Sequence, residues 1–239
     1  MAIDGIAAPK IILRILISFA LCFLIFGLSS VVVIIFCGMP TLNDPSAVKP
    51  AAVTQISSLL LTLIVMAILG RGNLFRFGFR LTSGIPVLRI VLLSLVIAFP
   101  ASLLADILNA DGKFPTEGFS FLSILLIVFI GASASEELLF RGLIQGYLAP
   151  LSGIGFELRG MRISLPVLIP AIIFGLTHFA LISAGVTFGA ALTIVIAGVV
   201  LGIIAGYYRE KTGSLLPAIL THMCFNVWGS VADYVMKSQ

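Results

Sequence analysis

Apolar positions in this chain do not alternate with polar ones; they run together in long blocks broken by short charged or Gly/Pro-rich interruptions. The blocks lie at about 11 to 37, 51 to 70, 87 to 108, 119 to 147, 163 to 183, 187 to 208 and 214 to 235. Each approaches the ~20 apolar residues that carry an α-helix across the hydrocarbon core, where the backbone must satisfy its own hydrogen bonds. The pattern predicts an all-α, polytopic transmembrane helix bundle of about seven spans, within a range of six to eight, with residues 1–239 forming a single integral membrane domain. It shows no low-complexity tract, sustained heptad or obvious internal repeat.

Composition agrees. The chain has 239 residues, 60% of them hydrophobic and 10% charged, where a soluble domain carries about 25% charged residues. A mean hydropathy of +1.22 makes lipid the solvent. The net charge of +4 comes from basic residues scattered among apolar runs, so the partners expected are membrane lipids with anionic headgroups rather than nucleic acid. Lys10, Arg14, Arg71, Arg76, Arg80, Arg89, Arg159, Arg162, Arg209 and Lys211 fall on one side of the bundle, against Lys49, Lys113 and Lys237 on the other. That bias predicts a cytoplasmic N-terminus and an external C-terminus, in a plasma membrane of prokaryotic type.

The run after Lys10 and Arg14 is too long for a signal peptide and is read as the first span. The segment from Arg71 to Arg89 interleaves arginines with Leu74, Phe75, Phe77 and Phe79, as an interfacial stretch would, but a plain positive-inside loop is the favoured reading. Cys22, Cys37 and Cys224 show no paired spacing and read as small apolar residues.

Ionisable residues within spans are costly and therefore carry functional hypotheses. The fourth span holds Glu136, Glu137 and Arg141, the fifth His178, the seventh His222 and Asn226; the chain has no other histidine. Glu137 and Arg141 stand four apart with the acid first, the favoured order for an ion pair. Glu136 points about 100° away around the helix, so its partner must come from another helix. His222 and Asn226 share one face, and Phe174 stands one turn from His178. At ~1.5 Å per residue, Glu136, His178 and His222 lie about 16, 18 and 12 Å from their expected cytoplasmic helix ends.

A carboxylate, two imidazoles and a carboxamide at matched depth suit hydrolysis, the carboxylate taking a proton from water while His and Asn stabilise an oxyanion. Two His and one Glu also match a zinc ligand count, Glu136, His178 and His222, but without an HExxH arrangement. Ser133 and Ser135 lack a GxSxG setting and read as small packing residues, as do Gly131, Gly142, Gly146, Gly202 and Gly206. Asp106 and Asp233 read as solvated span ends.

The sequences EELLFR at 136 to 141, FGLTH at 174 to 178 and HMCFN at 222 to 226 resemble the EExxxR, FxxxH and HxxxN motifs of the CAAX protease and bacteriocin-processing family of intramembrane proteases. The resemblance covers about 119–228. It implies Glu136 as catalytic base, His178, His222 and Asn226 completing the site, and Glu137, Arg141 and Phe174 supporting it. It implies an endopeptidase acting on a membrane-associated peptide or protein, of which a prenylated CAAX substrate is one case. It is compatible with Zn2+ and with a metal-independent glutamate mechanism alike. A proton-coupled transporter and a non-catalytic scaffold are the alternatives, but the apolar external halves of the spans favour a one-sided site. That site is expected to be a single polar cavity reached from the cytoplasmic side or from the lipid.

Overall fold

The computed structural model describes residues 2–3, 6–39, 48–110, 112–158 and 160–238; Arg159, counted above among the basic residues, lies outside them. Six helices are long and apolar enough to cross a membrane: α1 (Ala8–Cys37), α2 (Val48–Gly70), α3 (Val87–Leu108), α4 (Phe121–Leu151), α5 (Leu165–Ala184) and α6 (Phe188–Thr212). A seventh helix, α7 (Leu216–Lys237), completes the bundle. The ends fall where local chemistry puts them. Thr187 caps α6 by accepting from the Ala190 amide, and Gly213 ends it with φ +70°, a left-handed conformation that glycine adopts without strain. Pro166 and Pro217 open α5 and α7, where a missing amide hydrogen costs nothing.

α3 packs chiefly on α7, α5 on α6, and α1 on α2. The main core joins Phe140, Leu143, Ile144 and Leu148 of α4 to Phe174, Leu201, Ala218 and Phe225 of neighbouring helices. Much of the outer surface is lipid-facing leucine, isoleucine, valine and phenylalanine, such as Phe23, Ile35, Leu88 and Val96.

Two features differ from the periodicity-based expectation. The fifth helix begins at Leu165 rather than 163, because residues Gly155–Leu158 (β1) and Met161–Ser164 (β2) pair as an antiparallel hairpin. The fourth helix is not uniformly α-helical: Ile124–Ala132 and Leu138–Ile144 are π-helical, on either side of the short α segment Ser133–Glu137. Such widened turns are rare and recur at functional sites.

Candidate active site

Both glutamates occupy the narrow α segment of α4, held between its two wide turns. Glu137 and Arg141 are fully buried, and Arg141 Nη1 donates to Glu137 Oε1 at 2.9 Å. The pairing expected from their spacing is therefore present. The same Glu137 oxygen lies 2.9 Å from His222 Nδ1 on α7, a contact the spacing did not reveal. A carboxylate accepts only, so the bonded His222 Nδ1 carries the hydrogen. The other ring nitrogen, Nε2, then faces Glu136 Oε2 at 3.9 Å. That is too long for a direct hydrogen bond, and both atoms are left to engage a third group.

The Arg141 guanidinium lies 4.8 Å from the Phe174 ring centre. Phe174 in turn meets His178 and His222 edge to face, at 4.9 and 5.5 Å between ring centres. One aromatic side chain thus spaces both imidazoles and covers the buried ion pair. Where α5 tightens from α-helix to a 3-10 turn, at His178, the histidine Nδ1 donates to the Phe174 carbonyl at 3.0 Å, leaving its second nitrogen unassigned to the helix. Gly202 supplies the room: a Cβ there would come 2.9 Å from Arg141 Nη2. Gly142 and Gly146 receive Met66 and Phe77, in keeping with close helix packing.

Asn226 Nδ2 donates to the Val128 carbonyl and to Ser133 Oγ, each at 3.1 Å. The carbonyl can only accept, which fixes the amide orientation, and both amide hydrogens are spent on bracing α7 against α4. Ser133 and Ser135 are not mere spacers: the first accepts from Asn226, and the second donates to Gln55 Oε1 of α2. Gln55 was legible as a polar residue in a span, but nothing along α2 points to a partner on α4. Gln145, one turn beyond Arg141, is likewise buried and donates to the Gly206 carbonyl at 3.0 Å.

A cavity of about 810 Å³ includes Phe174, His178, His222 and Asn226 in its wall. Three of the four expected site residues surround it; Glu136 is not in the wall and meets the site across from His222 Nε2. Most of the remaining wall is apolar, so the expectation of a polar cavity is corrected. The mouth carries Asp106, Glu117, Asp233 and Lys237, and its flank is formed by Phe121 of α4 with Val231 and Tyr234 of α7, all exposed toward lipid. Asp233 forms an exposed ion pair with Lys237 at 2.7 Å, in keeping with a solvated span end, whereas an Asp106 oxygen is buried without a partner. This opening lies at the C-terminal end of α7, opposite the arginine-rich loops. α7 starts at the end that carries the basic residues and runs toward this opening.

Glu136, His178 and His222 do not meet as a zinc site. Among the described residues no three His, Cys, Asp or Glu side chains gather where an ion could be held, although the Nδ1 bond to Glu137 leaves His222 Nε2 unoccupied.

The model of the family described as "Type II CAAX prenyl endopeptidase Rce1-like" matches residues 118–228, just under half the chain, and that stretch contains every one of the residues above except Gln55, Met66, Phe77, Asp106, Glu117 and those beyond 228. No curated protein and no solved structure matches the chain.

Proposed function

We propose, from the premise that residues 118–228 make this integral membrane protein a member of the CAAX protease family, that it hydrolyses a peptide bond of a membrane-associated peptide or protein. The observation that carries the reading is His222, held at Nδ1 by Glu137 and facing Glu136 with Nε2 across 3.9 Å. Glu136 takes a proton from a water admitted to that gap and returns it to the leaving amine. The bare Nε2 of His222 accepts the water's other hydrogen, which aims the attacking oxygen at the carbonyl carbon. Glu137, anchored by Arg141, fixes the ring; His178 faces the cavity from the opposite side of Phe174; Asn226 holds α4 and α7 at the spacing the gap requires. The chemistry needs no metal, and the substrate approaches along the flank between α4 and α7, where the wall is apolar.

Transport is less well supported. Buried Phe77, Leu143, Ile144 and Leu148 fill the bundle between the site and the arginine-rich end, so the cavity reaches one face only.

The test compares purified wild type with Glu136→Gln on a peptide mixture prepared from membranes, reading new peptide termini by mass spectrometry with and without a strong chelator. Glutamine keeps the size but cannot accept the proton, so cleavage should fall by ~10²-fold or more, while wild-type cleavage resists the chelator. Equal product from both proteins would sink the role of Glu136, and chelator-sensitive wild type would replace the glutamate mechanism with a metal-dependent one. No new termini from either protein would favour the scaffold.

A further inference from the structure

At the end of the bundle opposite the cavity, several arginines lie together and, among the described residues, none is ion-paired with a carboxylate. After α2 the chain makes a short 3-10 turn, Leu74–Phe77, capped by Asn73 and closed by Gly78 with φ +97°. Glycine is required there twice over, for the left-handed backbone and because a Cβ would strike the guanidinium of Arg209 from α6. Arg209 Nη2 donates to the Arg76 carbonyl at 3.4 Å, and Ser214 Oγ donates to the Arg80 carbonyl at 2.6 Å. The Leu215 amide donates to the Gly78 carbonyl at 3.0 Å. Arg80 Nη1 lies 4.0 Å from where a Cβ on Gly213 would stand. The guanidinium groups of Arg80 and Arg209 thus flank the C-terminus of the same helix.

The helix dipole favours cations at this position, but it offers only about half a charge to two guanidinium groups. Among the described residues none of Arg76, Arg80 and Arg209 is ion-paired, and Arg209 Nε is buried with no acceptor. The neighbouring Glu210 is already engaged, accepting from Ser164 Oγ at 2.5 Å. Around this cluster Phe75, Phe79 and Leu81 are exposed, Leu81 almost completely at 98%. At a water-facing loop such residues are costly; at a membrane boundary they enter the acyl region while arginines stay among headgroups. Phe77 points the other way. It is buried, and a Cβ on Gly70 or Gly146 would come within 2.9 or 2.8 Å of its ring, so it is wedged between α2 and the turn of α4 that follows Arg141.

We infer that Arg80 and Arg209, with Arg76 beside them, form a headgroup site for an anionic phospholipid, whose phosphate bridges the two guanidinium groups while Phe75, Phe79 and Leu81 lie among acyl chains. Occupancy stiffens α4 through Phe77. This goes beyond the peptidase reading, and its test needs no cleavage.

The full chain in a neutral detergent is titrated with dioleoylphosphatidylglycerol, with dioleoylphosphatidylcholine and with inorganic phosphate. Bound lipid is read by native mass spectrometry, and hydrogen exchange is followed over 138–148. Phosphatidylglycerol should be retained well above phosphatidylcholine, and R80Q/R209Q should lose ~10-fold or more of that retention. Equal retention of the two lipids, or unchanged retention by R80Q/R209Q, overturns the site. Inorganic phosphate competing as strongly as the lipid overturns the lipid as its occupant. Should the double variant fail to fold, wild type alone decides: retention must weaken as salt rises from about 0.1 M to about 1 M, and salt-independent retention overturns the site. Bound phosphatidylglycerol should slow exchange over 138–148 in wild type and not in Phe77→Leu; exchange unchanged by bound lipid in wild type overturns the coupling to α4.

Discussion

Polar side chains are buried in both halves of this bundle, but they are satisfied in different ways. In α1 and α2 the buried ones are neutral hydroxyls, and some turn back on their own helix: Ser18 donates to the Arg14 carbonyl four residues back and Ser57 to the Thr54 carbonyl three back. In α4 and α7 they are charged or bifunctional and bond at long range, His222 to Glu137 over 85 residues and Asn226 to Ser133 over 93. A hydroxyl that turns back on its own helix can be moved along the membrane with little consequence. A carboxylate shared by Arg141 and His222 fixes three side chains on two helices at once. Long-range satisfaction, more than burial, separates the working half from the supporting half.

If that distinction is right, Arg141→Ala should have the largest structural effect. It leaves Glu137 with His222 alone and removes the cation beneath Phe174. Breaking a buried pair from one side costs about 3–5 kcal/mol, which in a membrane bundle should read as a large drop in unfolding temperature in detergent, or as no folded protein. Replacing both partners, Glu137→Gln with Arg141→Met, should be less destabilised than Arg141→Ala, because no charge is then stranded. A normally stable Arg141→Ala would remove the basis of the comparison.

Asn226 sharpens it. Both of its amide hydrogens are occupied, so truncation should cost stability as well as turnover, by about 1–3 kcal/mol for the groups left unpaired. Asn226→Asp should be worse than Asn226→Ala, since it turns a carboxylate toward the Val128 carbonyl. Turnover lost with no change in unfolding temperature would instead make Asn226 an oxyanion donor that swings free of its braces.

The helical content and the Glu137–Arg141 pair were legible because both follow from local periodicity: a run of apolar residues and a four-residue spacing. The motif residues on α4, α5 and α7 were legible as costly polar intrusions. What periodicity hides is where a side chain goes when its partner is on another helix. Nothing in the order of residues shows that His222 prefers Glu137 to Glu136, that Asn226 spends its donors on Val128 and Ser133, or that Gln55 belongs to the network. The π-helical turns are also invisible, because Ile124–Ala132 reads as an ordinary apolar run. The direction of access is hidden for a related reason. Depth counted along single helices places the site, but the mouth depends on which helices splay, and those are α4 and α7 near Phe121 and Tyr234. Cysteines placed at Glu117 and Arg76 in a chain cleared of its own should react with an impermeant thiol reagent from opposite sides of sealed vesicles. Labelling from the same side would reverse the assignment of the mouth to the end away from the arginines.

The smallest effect is expected in the supporting half, at the pair formed by Ser29 of α1 and Ser57 of α2, whose hydroxyls lie 2.5 Å apart. The contact crosses between helices, as the active-site bonds do, and so it tests whether crossing alone is enough. It should not be. Ser29 Oγ also reaches the Thr54 carbonyl at 3.2 Å, so Ser57→Ala leaves its partner bonded and strands no charge. Interhelical hydrogen bonds of this kind average about 0.6 kcal/mol in membranes, and the methyl group of alanine fits a buried serine site. Unfolding temperature should shift by little, and cleavage, once a substrate peptide is in hand, should be unchanged. If Ser57→Ala instead cost as much as Arg141→Ala, charge would not be what distinguishes the two halves, and α1 and α2 would have to be counted as part of the site's frame.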